Sequence, residues 1–383
     1  MTGFGHFYGR YYRHLFMIMA IMSICGILFY VIVSVPASFQ DMRVLKYSGV
    51  FDPNVVMAKG STQGNQSSGN PNGDIVKAPP EIYCRPQHHF VFIKTGKTGS
   101  STLSSLLYRY GLKNNLVAAL DPDNKGFIEQ DKNGNLVIKE FNCRNFPGYN
   151  VMASHIGYDR VAIDAVIDNA KYFTIIRSPY THWKSGFYFS GKYKGFSNSS
   201  NPFLQYVNFQ YERHREDHSV ATPANGFCNR FGIPFEDDKK IMDRHLEKLD
   251  NDFDLVLLME YYDESLILLK QLMCWDFRDI LYYPLKVHTM YQPPTTPEME
   301  TKISQLARHD IRLYEYFNMT LWEKIRNYEG DFEADLVNFK NLQKTEYERC
   351  EEKKDSRYCH LLKADTSELA RLTLEMNTHQ WSC

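Results

Sequence analysis

Nine consecutive residues, Lys94-Thr-Gly-Lys-Thr-Gly-Ser-Ser-Thr102, combine two lysines, two glycines and five hydroxyl side chains. Gly96 and Gly99 let the main chain approach an anion, and Ser100, Ser101 and Thr102 add short hydroxyl donors. The apolar spacing of Leu103, Leu106, Leu107 and Tyr110 begins a helix here, and the first N–H groups of a helix are unpaired at its positive dipole end. This chemistry suits a phosphate, so the whole run of Lys94, Thr95, Gly96, Lys97, Thr98, Gly99, Ser100, Ser101 and Thr102 is the expected binding loop. A second set follows in Phe173-Thr-Ile-Ile-Arg-Ser-Pro-Tyr-Thr-His-Trp-Lys-Ser185. Arg177 leaves a strand and Ser185 comes two helical turns later; a planar guanidinium fork with a short hydroxyl suits a second, fixed dianion.

Positioning these residues requires strands that end where the loops begin. His89–Thr95 reads as a buried strand, and a helix follows that Gly111 stops. Val151–His155 reads as a strand, 159–167 as a helix and Tyr172–Ile176 as a strand. Pro179–Phe189 reads as a helix opened by proline, 254–259 as a strand and 263–273 as its helix. Strands alternating with helices predict an α/β fold, a mostly parallel sheet flanked by helices. The loop is not the nucleotide triphosphatase motif GxxxxGK[ST]: Gly96-Lys97-Thr98 supplies the second half, but Val91 stands where the first glycine belongs. The charged run from about Glu323 reads as helices with solvated faces.

Lys and Arg total 44 against 45 Asp and Glu, a net charge of −1. That excludes the basic excess of a general nucleic-acid binder and leaves room for a local basic pocket. The twenty-one residues 15–35 carry no charge and at about 1.5 Å each can cross about 30 Å of hydrocarbon. Arg10 and Arg13 before the span keep 1–14 cytoplasmic by the positive-inside rule, so the bulk of the chain is expected in a lumen. Thirteen of the twenty-three residues in 58–80 are Gly, Ser, Asn or Pro, a composition that cannot offset the entropy of ordering; residues 36–83 are the expected stem and 84–383 the globular domain. Lumenal exposure makes the triplets at Asn65, Asn198 and Asn318 glycosylation acceptors. Seven cysteines lie beyond the span, so at least one is free or intermolecular, and Cys350 with Cys359 is a plausible pair.

With these residues in view, the chain resembles the galactose 3-O-sulfotransferase family, Golgi enzymes that use 3'-phosphoadenosine-5'-phosphosulfate (PAPS). The loop is similar to the 5'-phosphosulfate loop, and Arg177 with Ser185 to the 3'-phosphate site. Ser154-His-Ile-Gly-Tyr-Asp159, the run 254–275 and the run 310–322 carry the likeness further, from about Phe90 to Trp322. The resemblance implies a P-loop-like sulfotransferase fold behind a signal anchor in the Golgi membrane. It also implies PAPS as donor, no required metal, and a galactose-terminated glycolipid or glycoprotein acceptor. The resemblance is compatible with a homodimer. Lys97 takes the role of stabilising the leaving phosphate oxygen. His155 takes that of the base, because an unperturbed imidazole near pKa 6.5 suits a mildly acidic compartment.

The chain departs from the family pattern at two places. The family loop usually reads Lys-Thr-His-Lys-Thr, where this chain has Gly96, and Arg-Glu-Pro becomes Arg177-Ser178-Pro179. Two other functions share the anchor and stem. A metal-dependent glycosyltransferase would use carboxylate pairs such as Asp121 with Asp123 or Asp252 with Asp254, and a noncatalytic glycan-binding protein would retain the fold alone. Neither explains the loop together with Arg177 and Ser185.

Overall fold

The computed structural model describes residues 84–123, 126–216, 225–235, 237–286, 292–353 and 356–382. The expected tail, span and stem, with Asn65, lie outside them. Four strands, β1 (Phe90–Ile93), β2 (Val151–Met152), β3 (Lys171–Ile176) and β4 (Leu255–Leu258), form one sheet in the order β2-β1-β3-β4. Every pairing is parallel, with Phe90 opposite both Val151 and Lys171, and Ile176 opposite Leu258. Phe90 to Ile93 are fully buried, as expected of a strand covered on both faces.

The helices in chain order are α1 (Ser100–Lys113), α2 (Arg160–Asp164), α3 (Pro179–Phe189), α4 (Pro202–Glu216), α5 (Gly226–Arg230), α6 (Lys239–Asp252) and α7 (Tyr262–Met273). They are followed by α8 (Pro297–Leu306), α9 (Arg308–Arg326), α10 (Phe332–Glu352), α11 (Arg357–Lys363) and α12 (Thr366–Trp381). Local chemistry sets several ends. Asp159 caps α2 by accepting from Ala162 N, and Pro179 begins α3, where its missing N–H has no partner to lose. No helix among the described residues is long and apolar enough to cross a membrane.

The chain runs from β1 to β2 on one side, then back across β1 to β3 and on to β4. Right-handed crossovers must then put α1 and α2 on opposite faces. The carboxyl ends of β1 and β3 flank the point where the winding reverses, the crevice in which open α/β sheets bind ligands. The C-terminal helices do more than present solvated faces. α12 packs on α1, where Thr366 Oγ1 donates to Ser101 O (2.8 Å) and the buried Asn377 amide bonds Ala118 N and Leu116 O. A second apolar cluster joins α3, α4 and α8 through Trp183, Phe187, Phe203, Tyr206 and Met299. Disulfides link Cys84 to Cys274 and Cys350 to Cys359, Cys143 is also disulfide-bonded, and Cys228 is a buried free thiol. The expected Cys350–Cys359 pair is present, and of the two alternatives for the odd cysteine, free or intermolecular, Cys228 is free.

Candidate active site

The loop from Lys94 to Gly99 joins β1 to α1 at the switch crevice. Lys97 (φ 60°) and Gly99 (φ 75°) are both left-handed, a conformation that costs a non-glycine residue roughly 1–2 kcal/mol and is held only where the surroundings enforce it. Those surroundings are identifiable. Thr95 Oγ1 donates to Ile175 O, the Thr98 hydroxyl lies 2.9 Å from Thr95 Oγ1, and Ser100 Oγ donates to Thr95 O. Thr102 Oγ1 accepts from Leu285 N at 3.0 Å. Thr95, Thr98, Ser100 and Thr102 are buried and shape the loop through these bonds. Ser101 and Lys97 are half-buried, and Gly96 is exposed.

Gly99 is the tight point. A β-carbon there would lie 2.5 Å from Met259 Sδ and 3.2 Å from Tyr262, whereas one on Gly96 would meet nothing within 4 Å. Met259 and Tyr262 follow β4, so the 254–275 run buttresses the loop.

Arg177 extends from the end of β3 and donates to Lys97 O at 3.2 Å and to Thr181 Oγ1 at 2.9 Å. Its neighbour Glu260 accepts from Ser178 N, Thr181 Oγ1 and the Tyr314 hydroxyl. Among the described residues, the side-chain bond from α3 to the loop comes from His182, whose Nε2 lies 2.9 Å from Gly96 O. Ser185 is half-buried one turn further along. Lys97 Nζ sits 3.6 Å from the ring centre of the exposed Phe189.

The electrostatics are one-sided. Burial, with the field of Lys286, lowers the Lys94 ammonium to about 8. Burial also lowers Lys97, helped by Arg177 and Lys286, and lowers Lys184, helped by Arg177. Burial lowers Arg177 too, and Glu260 counters it. Among the described residues, Lys94, Lys97, Arg177, Lys184 and Lys286 are linked by these mutual fields, and Glu260 is the acid that acts on Arg177. His182, Lys184, Lys286 and Glu260 were not among the expected site residues. Nothing in a single sequence ties Lys286 to residues 94–97; the bond from Leu285 N to Thr102 does so in space.

His155 follows β2 and is pinned on both sides. Its main chain bonds Gly126 O and Ile128 N, Ser104 Oγ donates to Ala153 O, and Tyr108 meets Ser154. His155 Nδ1 lies 3.1 Å from Lys94 O. A carbonyl oxygen only accepts, so Nδ1 carries the proton and Nε2 keeps its lone pair. Burial first, then Lys94, lowers the imidazole to about 4. It is therefore neutral across the physiological range rather than half-titrated near 6.5.

One member of each carboxylate pair has a structural duty. Asp121 accepts from Asp123 N and Gly126 N, and Asp254 holds Lys171 and Tyr172 N. No group of three His, Cys, Asp or Glu among the described residues could hold a metal ion. Asn198 is exposed, whereas Asn318 lies within α9 with its amide oxygen buried.

Parallel strands feeding a loop with two left-handed residues, and lysines and an arginine gathered at the switch crevice, define an α/β protein with a basic crevice at the carboxyl ends of its strands. The sequence profile of the galactose-3-O-sulfotransferase family matches residues 43–351, and the chain belongs to that family. Galactosylceramide sulfotransferase of Bos taurus is 28% identical over 305 residues, which cover 76% of this chain and 71% of that protein. Galactose-3-O-sulfotransferase 2 of Sus scrofa is 27% identical over 261 residues, 63% of each chain. Galactose-3-O-sulfotransferase 3 of Homo sapiens is 28% identical over 291 residues, 69% of this chain and 64% of that protein.

Proposed function

We propose that this protein transfers the sulfuryl group of PAPS to the 3-hydroxyl of a terminal β-galactose on a glycolipid or glycoprotein glycan. We place it in the Golgi membrane, with 15–35 as anchor and 84–383 in the lumen. The observation that carries the reading is the gathering of Lys94, Lys97, Arg177, Lys184 and Lys286 around the loop, with Glu260 as the acid acting on Arg177 among the described residues. Mutual repulsion of this kind is relieved by an anion, and a donor with phosphate at both ends of its ribose supplies more than one negative group.

The donor contributes a sulfur held to phosphate through a labile anhydride oxygen. In the proposed reaction the galactose oxygen bonds that sulfur while the sulfur–oxygen bond to phosphate breaks. His155 Nε2 takes the hydroxyl proton, and the Lys97 ammonium offsets the charge on the departing phosphate oxygen. Arg177 grips the 3'-phosphate. No step uses a metal. A pKa of about 4 makes His155 a weak base in the ligand-free protein; a bound anion offsets the field of Lys94 and Lys286 and raises its basicity when the acceptor is present.

The test is sulfate transfer from radiolabelled PAPS to a β-galactoside by the purified lumenal domain. UDP-sugar transfer with manganese, and with a chelator, is assayed beside it. Sulfated product with linkage at the 3-position is expected. Sugar transfer that requires manganese, without sulfate transfer, refutes the reading.

A further inference from the structure

A recess beside His155 has no part in the chemistry above. It measures about 210 Å³ and is lined by Asp121, Pro122, Asp123, Phe127, Glu129 and Val137. Phe127 and Val137 are 55% and 42% exposed, so two large apolar side chains stand open to solvent around it. Its walls are fixed: Val137 N donates to Glu129 O at 2.8 Å, and Asp121 closes the turn through Asp123 N and Gly126 N.

The recess is also joined rigidly to the chemistry. Phe127 and His155 form a parallel bridge, with Ile128 N donating to His155 O at 2.9 Å and His155 N to Gly126 O at 3.1 Å. Their rings stack with centres 4.9 Å apart and planes 22° from parallel. On its other side His155 bonds Lys94 O at the head of the donor loop. The imidazole therefore contacts both the aromatic wall of the recess and the loop expected to hold the donor.

We propose that this recess is the acceptor subsite, in which Phe127 stacks on the C–H face of the terminal galactose and the carboxylate of Glu129 accepts hydrogen bonds from its hydroxyls. The assignment rests on the sulfotransferase reading and adds to it the residues that select the acceptor. A galactopyranose has C3–H, C4–H and C5–H on one face, because its C4 hydroxyl is axial, and a rim of hydroxyl donors. An open aromatic face beside acid oxygens complements both. The volume is below the roughly 300–1,000 Å³ of pockets for drug-sized ligands, so the recess accepts one ring. The rest of the glycolipid or glycan lies outside it, and the subsite acts alike on galactosides that differ beyond the terminal sugar.

Steady-state kinetics with PAPS and a soluble β-galactoside test this in the wild type, Phe127→Ala, Phe127→Trp and Glu129→Gln. Calorimetry with adenosine 3',5'-bisphosphate reads the donor side. Phe127→Ala is expected to raise the galactoside KM about tenfold, the size of a lost stacking contact with its buried area. Phe127→Trp keeps KM within about threefold because the stacking face remains. Glu129→Gln raises KM severalfold, and nucleotide affinity is unchanged in all three. If transfer proceeds and KM is unmoved in both Phe127→Ala and Glu129→Gln, the subsite is wrong and the sulfotransferase reading stands. A fall in kcat alone in Phe127→Ala overturns it as well, since the ring would then serve only the imidazole. Absence of transfer in the wild type overturns both proposals.

Discussion

Replacing Gly99 with alanine probes the donor loop without touching a charge. Two costs add. The left-handed φ of 75° costs an alanine roughly 1–2 kcal/mol. The new methyl would sit 2.5 Å from Met259 Sδ and 3.2 Å from Tyr262. Overpacking of this kind costs about 1–3 kcal/mol, toward the low end here because a methionine side chain yields readily. The expected destabilisation is about 2–4 kcal/mol, which lowers Tm by roughly 5–10 °C in a domain of this size. Where the loop moves instead of unfolding, Lys97 and the first turn of α1 move with it, so affinity for adenosine 3',5'-bisphosphate falls as well. Gly96→Ala is the internal control: its methyl meets nothing within 4 Å and its φ is not left-handed, so its stability should stay within about 0.5 kcal/mol of wild type. Thermal unfolding and calorimetry of the two variants decide the matter. A Gly99→Ala protein as stable and as tight-binding as Gly96→Ala would refute the account of the loop.

Further outcomes are expected. Arg177→Ala should weaken adenosine 3',5'-bisphosphate binding by about 10- to 100-fold, the range for a lost hydrogen bond to a charged group; unchanged affinity by calorimetry discards the second phosphate site. His155→Ala should abolish most turnover while retaining nucleotide affinity. In the wild type the acid limb of kcat/KM for PAPS, which reads the ligand-free enzyme, should fall as pH drops through about 4 rather than 6.5, because the base works deprotonated. The same lowered pKa makes unfolding easier on acidification, since between 6.5 and about 4 the unfolded chain binds a proton that the folded imidazole refuses; an acid limb centred at 6.5 would show that the ring is not held as described. Cys84→Ser should cost about 2–5 kcal/mol in thermal unfolding and leave nucleotide affinity intact below the transition, and an unshifted Tm would deny the bond a structural role.

The sheet was readable because its strands are short apolar runs set between helical patterns. Tyr172–Ile176 differs from the observed β3 by one residue, and Pro179–Phe189 matches α3 at both ends. Val151–His155 shortens to Val151–Met152, because the chain beyond it pairs with Phe127 outside the sheet. The loop was legible as an anion cradle from composition alone, but the division of labour within it was not. Hydroxyls that looked available to a ligand are turned inward at Thr95, Thr98 and Ser100, which only the register of β1 against β3 reveals. His182 reaches Gly96 O from α3, at the loop position where the family's usual histidine is missing. Helix periodicity gives that residue a face but not a distant partner. The lowered pKa of His155 depends on burial and on Lys94, sixty-one residues earlier, and local sequence carries no trace of either.

Cys84, the first described residue, is covalently fastened to Cys274, 190 positions later. Gln87 reinforces the junction through Met273 O and the Trp275 indole. These partners lie at or just past the end of α7, whose opposite end, about 18 Å away for twelve residues, presses Tyr262 toward Gly99. A pull on the leading eighty-three residues therefore loads a sulfur–sulfur bond and a helix terminus before it can peel β1 from the sheet.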